Sequence, residues 1–155
     1  GQCERFLSKD DLQFMVRLLT RQEIKVKNGS DVLKKWIDFN ANLCNEVAWF
    51  RARKYGRDPK EFLRKERGGD SYLTEIVHQA SKADDPLNAE KVFDTARWQF
   101  LDSALFGHYF DRDVLFVYGL KLQILERYQN MESAQAQAVF DSYKNISLPK
   151  SSLVN

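Results

Sequence analysis

The chain predicts an all-α protein of six to seven helices packed as one irregular helical bundle. Three observations lead there. No segment shows the period-2 alternation of a half-buried strand. Apolar residues recur at three- and four-residue spacing in one segment after another. Those segments open on Ser or Asp and close on Gly or a polar turn. At 155 residues the chain is long enough to bury one ordinary core, and residues 1–155 read as a single all-helical domain.

Taken in order, Ser8-Lys9-Asp10-Asp11 precedes Leu12, Phe14, Met15, Val16, Leu18 and Leu19 and reads as a capped first helix. Acidic residues in its first turn favour the positive end of the helix dipole. The pattern dissolves between Glu23 and Gly29, where Asn28-Gly29 marks a turn. The second and longest helix follows, opened by Ser30 or Asp31 and closed by Gly56. A glycine there can take the left-handed conformation that closes a last turn. Its apolar stripe is Leu33, Trp36, Ile37, Leu43, Val47 and Phe50, with Asn40 standing inside it. A buried amide must find hydrogen-bond partners or destabilise the fold by about 1–3 kcal/mol, so Asn40 predicts a specific polar contact within the core.

Asp58-Pro59 opens a short helix through Phe62 and Leu63, with proline at the first helical position. Lys65 to Asp70 is the most polar, glycine-rich stretch and reads as a loop. Ser71 caps a helix carrying Leu73, Ile76 and Val77. Asp84-Asp85-Pro86 starts the next helix, expected to continue to about Phe110. Asp111 caps another, with Val114, Leu115, Tyr118, Leu122, Leu125 and Tyr128 as apolar members. A last helix is expected from about Ser133 to Lys144. The helices after the loop are too apolar all round to stand exposed, so both halves are expected to share one core.

Composition narrows the function classes. Charged residues make up 30% of the chain, yet the net charge is only +2, which argues against a nucleic-acid binder. No apolar run approaches the roughly 20 residues that span a bilayer. Two cysteines, Cys3 and Cys44, make neither a disulfide framework nor a metal site; Cys44 reads as a small hydrophobe beside the apolar stripe. The cell interior is the default compartment. The 11 Phe, 6 Tyr and 3 Trp supply the large apolar area that a helical core or a substantial interface needs. Gly1 reads as the remnant of a cleaved tag, and the chain as the C-terminal part of a longer protein.

Candidate chemistry is sparse. His78 and His108 are the only histidines, and no cluster of extra Cys, Asp or Glu ligands at metal-site spacing surrounds either; His108, in the run Phe106-Gly107-His108-Tyr109-Phe110, reads as a packing histidine. Gly68-Gly69 lacks the strand before it and the Lys-Ser/Thr after it that a phosphate loop requires. No Gly-x-Ser-x-Gly elbow and no Cys/His nucleophile pair is present. The pairs Asp10-Asp11 and Asp84-Asp85 are explained by helix starts. The expectation is therefore a protein that is not an enzyme, with no catalytic residue, no metal and no cofactor.

Two constellations stand out. Arg51, Arg53, Lys54 and Arg57 form a basic cluster at the end of the second helix, continued by Lys60, Arg64, Lys65 and Arg67. The first four are the candidate partner-contact residues, part of their placement being explained by the preference of cations for a helix C-terminus. Glu46, Arg97 and Glu126 lie beside apolar stripes on three long helices, either as a buried ionic network that fixes helix register or as the boundary of the core.

Two stretches also carry a resemblance. Trp36-Ile37-Asp38-Phe39-Asn40-Ala41-Asn42-Leu43-Cys44-Asn45 is followed by Arg51-Ala52-Arg53-Lys54-Tyr55-Gly56. Glu90-Lys91-Val92-Phe93-Asp94-Thr95-Ala96-Arg97-Trp98-Gln99-Phe100-Leu101-Asp102 leads to His108-Tyr109-Phe110 and on through Leu120 to Tyr128. Together they resemble DUF2764, a bacterial family of uncharacterised proteins encoded among V-type ATPase subunits and similar to the helical C (or d) subunit of the central stalk. The resemblance spans Val32 to Tyr128. Ala52 stands where the family pattern has a cysteine, and the family's tyrosine-rich opening segment is absent. What the resemblance implies is a non-catalytic structural subunit of a V-type ATPase or ATP synthase, linking the rotor shaft to the membrane ring. Its partners would be other subunits of that complex, with no nucleic acid bound. It would be cytoplasmic and peripheral to the inner membrane through protein partners. The alternative is a free-standing helical interaction adaptor.

Overall fold

A computed structural model describes residues 8–19, 30–63, 68–109 and 111–131. Among the described residues the chain forms five α-helices, one 3-10 turn and no strand. In chain order these are α1 (Lys9–Leu19), α2 (Asp31–Lys54), the 3-10 turn (Pro59–Phe62), α3 (Ser71–Ser81), α4 (Pro86–Ala104) and α5 (Arg112–Met131). The all-α class is as expected. Of the seven expected helical segments, one is a 3-10 turn, and the helix expected near residues 133–144 lies outside the described residues.

Local chemistry sets the helix starts. Ser8 caps α1, its Oγ accepting from the Asp11 amide at 3.1 Å. Ser30 caps α2, accepting from the Leu33 amide at 3.1 Å, and it is almost fully buried. Asp85 caps α4 through the Asn88 amide at 2.7 Å, with Pro86 at the first helical position. Asp111 caps α5, accepting from the Asp113 and Val114 amides at 3.0 and 3.1 Å. For α3 the cap is Asp70, accepting from the Tyr72 amide at 2.9 Å, and Ser71 is the first helical residue. The reading of Ser71 as the cap was thus one residue late; a carboxylate competes well for the orphan amides of a first turn.

The stops follow the same logic. At the end of α2, Gly56 takes φ +66° and the Arg57 amide returns to the Ala52 carbonyl at 2.9 Å, the glycine closure expected there. The fourth helix ends at Ala104, not near Phe110. Gly107 takes φ +86° and the His108 amide donates to the Leu105 carbonyl at 2.9 Å. A residue with positive φ cannot continue a right-handed helix, so the apolar letters up to Phe110 were a misleading continuation signal.

Two apolar clusters form the interior. One joins Val32 and Leu33 of α2 to Leu101 of α4 and to Phe116, Val117, Leu120 and Ile124 of α5. The other joins Phe39 and Leu43 of α2 to Leu73, Ile76, Val77 and Ala80 of α3 and to Phe93 and Ala96 of α4. Trp36 and Phe100 touch both clusters. The Phe39 and Phe100 rings stack with centroids 4.4 Å apart, and Trp36 lies 6.0 Å from Phe100. Both halves of the described chain therefore pack together, with α2 as the common wall.

The stripe on α2 is rotated relative to the expected one. Ile37 is 43% exposed, whereas Val32 and Phe39 are buried. At about 100° per residue, Phe39 lies nearer than Ile37 to the centre of the face through Trp36, Asn40 and Leu43, and its stacking on Phe100 draws it inward. Cys44 is exposed and free. It lies on the outer side of Leu43, so the small-hydrophobe reading is corrected. On α5 the expected apolar members Tyr118, Leu122 and Leu125 are exposed, and the buried face is Phe116, Val117, Leu120 and Ile124.

Candidate functional site

The last turns of α2 and the 3-10 turn behind them make a distinct surface. Gly56 reverses the chain, and Asp58 caps the 3-10 turn by accepting from the Lys60 amide at 3.0 Å. This brings Phe62 back beside Ala48 and Ala52. An open groove of about 620 Å³ results, lined by Ala48, Arg51, Ala52, Tyr55, Arg57 and Phe62. Its floor is apolar, since Ala48 and Ala52 sit one helical turn apart and carry only methyl groups. Its rim is aromatic and cationic. Tyr55 is 73% and Phe62 43% exposed, and Arg51 and Arg57 are both exposed.

All four candidate contact residues, Arg51, Arg53, Lys54 and Arg57, are thus at one exposed end of α2. Arg51 and Arg57 line the groove, while the Arg53 guanidinium lies 4.7 Å above the Trp49 ring. Arg51 and Lys54 also edge a smaller recess of about 170 Å³ toward α3 and α4. Among the described residues none of the four is ion-paired. The sequence continuation at Arg64, Lys65 and Arg67 lies outside the described residues. What sequence reasoning missed is the apolar floor. Ala48 and Ala52 are unremarkable letters until the 3-10 turn places Phe62 opposite them.

The second constellation is a polar bracket across α2, α4 and α5. The Asn40 side-chain amide donates to the Trp36 carbonyl at 2.9 Å. Its carbonyl accepts from Arg97 Nε at 3.1 Å. Arg97 Nη1 donates to Asp94 Oδ1 at 2.9 Å. Arg127 pairs with the same Asp94 carboxylate and lies 3.6 Å from Glu90. The partner predicted for Asn40 is therefore an arginine 57 positions away. Burial lowers the Arg97 pKa from its ordinary value, and Glu90 opposes that shift. Two guanidiniums set against Asp94 and Glu90 leave the bracket close to neutral, which suits it to holding helices rather than to capturing an anion.

This bracket corrects the network expected from Glu46, Arg97 and Glu126. Arg97 takes part, but with Asp94, Asn40 and, through Asp94, Arg127. Glu46 is buried and instead accepts from Thr74 Oγ1 at 2.8 Å, tying α2 to α3. Glu126 is exposed on α5. Further charged pairs tie the outer helices: Arg112 to Asp11 at 3.4 Å joins α5 to α1. Lys121 pairs with Asp102 and lies 4.7 Å over the Trp98 ring, joining α5 to α4.

The histidines are separate. His78 is exposed on α3. His108 is half-buried in the α4–α5 turn with Nδ1 2.5 Å from Asp111 Oδ2, and this hydrogen bond holds the Asp111 carboxyl below its ordinary pKa. His108 thus braces the start of α5. Among the described residues no group of three or more His, Cys, Asp or Glu could hold a metal ion, and no described helix is long and apolar enough to cross a membrane.

Comparison with known proteins adds one finding. The family described as "Protein of unknown function (DUF2764)" matches residues 69–146. The chain belongs to the DUF2764 family. The match takes in α3, α4 and α5, including Asp94, Arg97 and Arg127 of the bracket; the Trp36–Asn45 stretch and the basic end of α2 precede it. No curated protein and no solved structure matches the chain.

Proposed function

We propose that this DUF2764 chain is a non-catalytic structural subunit of a V-type ATPase or ATP synthase, similar to the central-stalk C (or d) subunit and linking the rotor shaft to the membrane ring. The observation that carries the reading is the destination of the two resembling stretches. Trp36, Phe39 and Asn40 from the first meet Arg97 and Phe100 from the second. Those residues hold α2 against α4, and Arg127 ties α5 to the same bracket through Asp94. A part that transmits torque needs stiff helices held in register, and paired, buried polar groups between helices supply that. It also needs a surface that is left open for a neighbour, which the groove at the end of α2 provides.

In this reading the chain performs no reaction of its own, needs no cofactor and binds no nucleic acid. It is cytoplasmic and held at the inner membrane through its protein partners. Affinity purification of the tagged full-length protein from native membranes, followed by mass spectrometry, tests it. Stoichiometric recovery of rotary ATPase catalytic and shaft subunits is the expected result. A clean preparation lacking them, with intact ATPase in the same extract, would overturn it. A free-standing helical adaptor is then the second reading, favoured by the exposed stripe of Tyr118, Leu122 and Leu125 on α5, a second apolar face apart from the groove.

A further inference from the structure

The end of α2 gathers several exposed cations within two helical turns. Lys34, Arg97, Arg112, Lys121 and Arg127 each face a carboxylate. Arg51, Arg53, Lys54 and Arg57 are exposed, and among the described residues none has such a partner. Two of them, Arg51 and Arg57, line a recess whose floor is the methyl groups of Ala48 and Ala52 and whose wall is the exposed Phe62 ring.

We propose that this groove docks an acidic segment of a partner protein, which inserts one bulky apolar side chain against Ala48, Ala52 and Phe62 and sets its carboxylates against Arg51 and Arg57. The proposal deepens the assembly reading above and rests on it for the existence of a partner. Charge complementarity selects the acid, because arginine on a groove rim presents a planar fork that matches a carboxylate. The apolar floor selects a protein over a nucleic acid. A phosphate backbone would use the cations and leave the exposed Phe62 and Tyr55 rings uncovered, whereas a side chain seated on the alanine floor beside them removes that apolar area from water. Asp58 and Glu61 at the same end would repel a continuous polyanion, but a segment with a few placed carboxylates can avoid them. Tyr55 at the mouth supplies a ring with a polar tip, the kind of group enriched at protein interfaces.

The test uses the full-length protein in its native membranes, with a benzophenone photocrosslinking residue placed at position 48 and the linked peptide sequenced. The expected product is a peptide with two or more carboxylates within about one helical turn of a Leu, Ile, Phe or Trp. Arg51→Glu combined with Arg57→Glu should lower its yield at least about tenfold, whereas Lys9→Glu on α1 should leave it within about twofold. Both variants change exposed residues, and an unaltered melting transition confirms their folding. A link to a basic or neutral peptide, to lipid or to nucleic acid, the absence of any link, or a yield indifferent to charge reversal would each overturn the proposal. Rotary ATPase subunits that co-purify without linking to position 48 would sink the groove and leave the assembly reading standing. An acidic peptide from outside that complex would support the groove and sink the assembly reading.

Discussion

The middle and the end of α2 carry the same kinds of residue to opposite purposes. In the middle, Trp36, Phe39 and Asn40 are covered by α4, and the nearby guanidiniums of Arg97 and Arg127 are matched by Asp94 and Glu90. At the end, Trp49 and Tyr55 stand beside four exposed cations that no described carboxylate meets. Charge alone does not separate these regions; matching does. A charge taken out of water must be compensated within the fold, so the charges of the middle are spent on one another. Exposed cations at a helix C-terminus are tolerated by solvent and by the dipole, so the end remains free to receive a partner.

The sharpest way to break this contrast is at Asp94, the shared acceptor. Asp94→Ala should destabilise the protein by about 3–5 kcal/mol, because it leaves the largely buried Arg97 guanidinium without its anion and Arg127 with Glu90 alone. Asp94→Asn, which keeps a hydrogen-bond acceptor, should be milder. Urea denaturation measures both, and a loss below about 1 kcal/mol for the alanine variant would show that the bracket does not hold the helices. Leu101 is fully buried between α2, α4 and α5. Leu101→Ala should cost about 2–5 kcal/mol through lost burial and the cavity left behind, read from the same denaturation curves. Ser30→Ala, at the buried cap of α2, should lose about 1 kcal/mol; a change within measurement error would mean that the helix start is held by packing alone.

Acidification should produce a smaller, local effect. The folded-state pKa of Asp111 is depressed chiefly by its hydrogen bond with His108. The stability this supplies is present above the ordinary aspartate pKa of about 3.9 and is lost as pH falls through the depressed value. The difference in denaturation midpoint between the native protein and Asp111→Asn should therefore shrink below about pH 4. A difference that stays constant to about pH 2 would remove the assignment. Smallest of all in stability are Arg53→Ala with Lys54→Ala, expected within about 0.5 kcal/mol of the native protein. Their effect should fall on assembly, as a reduced recovery of co-purifying subunits. A destabilisation comparable to that of Leu101→Ala would instead place these cations in the fold.

The helix starts were legible because capping is local. Ser8, Ser30, Asp85 and Asp111 act on amides two or three residues away. The same holds for the Gly56 stop, where absence of a side chain permits the positive φ. Asn40 signalled a buried polar contact, since an amide inside an apolar stripe requires partners. Its actual partner was not legible, because Arg97 is brought to it only when α4 packs on α2. Nor was the displacement of Ile37 by Phe39 in the core, a rotation too small for periodicity to resolve and decided by the Phe100 ring.

What the amino-acid sequence determined by itself was therefore the class of fold, the order of its helices, where most of them begin, and the basic character of the end of α2. Each follows from interactions within one or two helical turns. Only the tertiary structure decided that Arg97 and Arg127 share Asp94, that Glu46 turns to Thr74, and that Ala48, Ala52 and Phe62 form a groove beneath the arginines. Those outcomes depend on which helix faces meet, and the faces meet where burial of the aromatic rings and neutralisation of the buried charges are satisfied together.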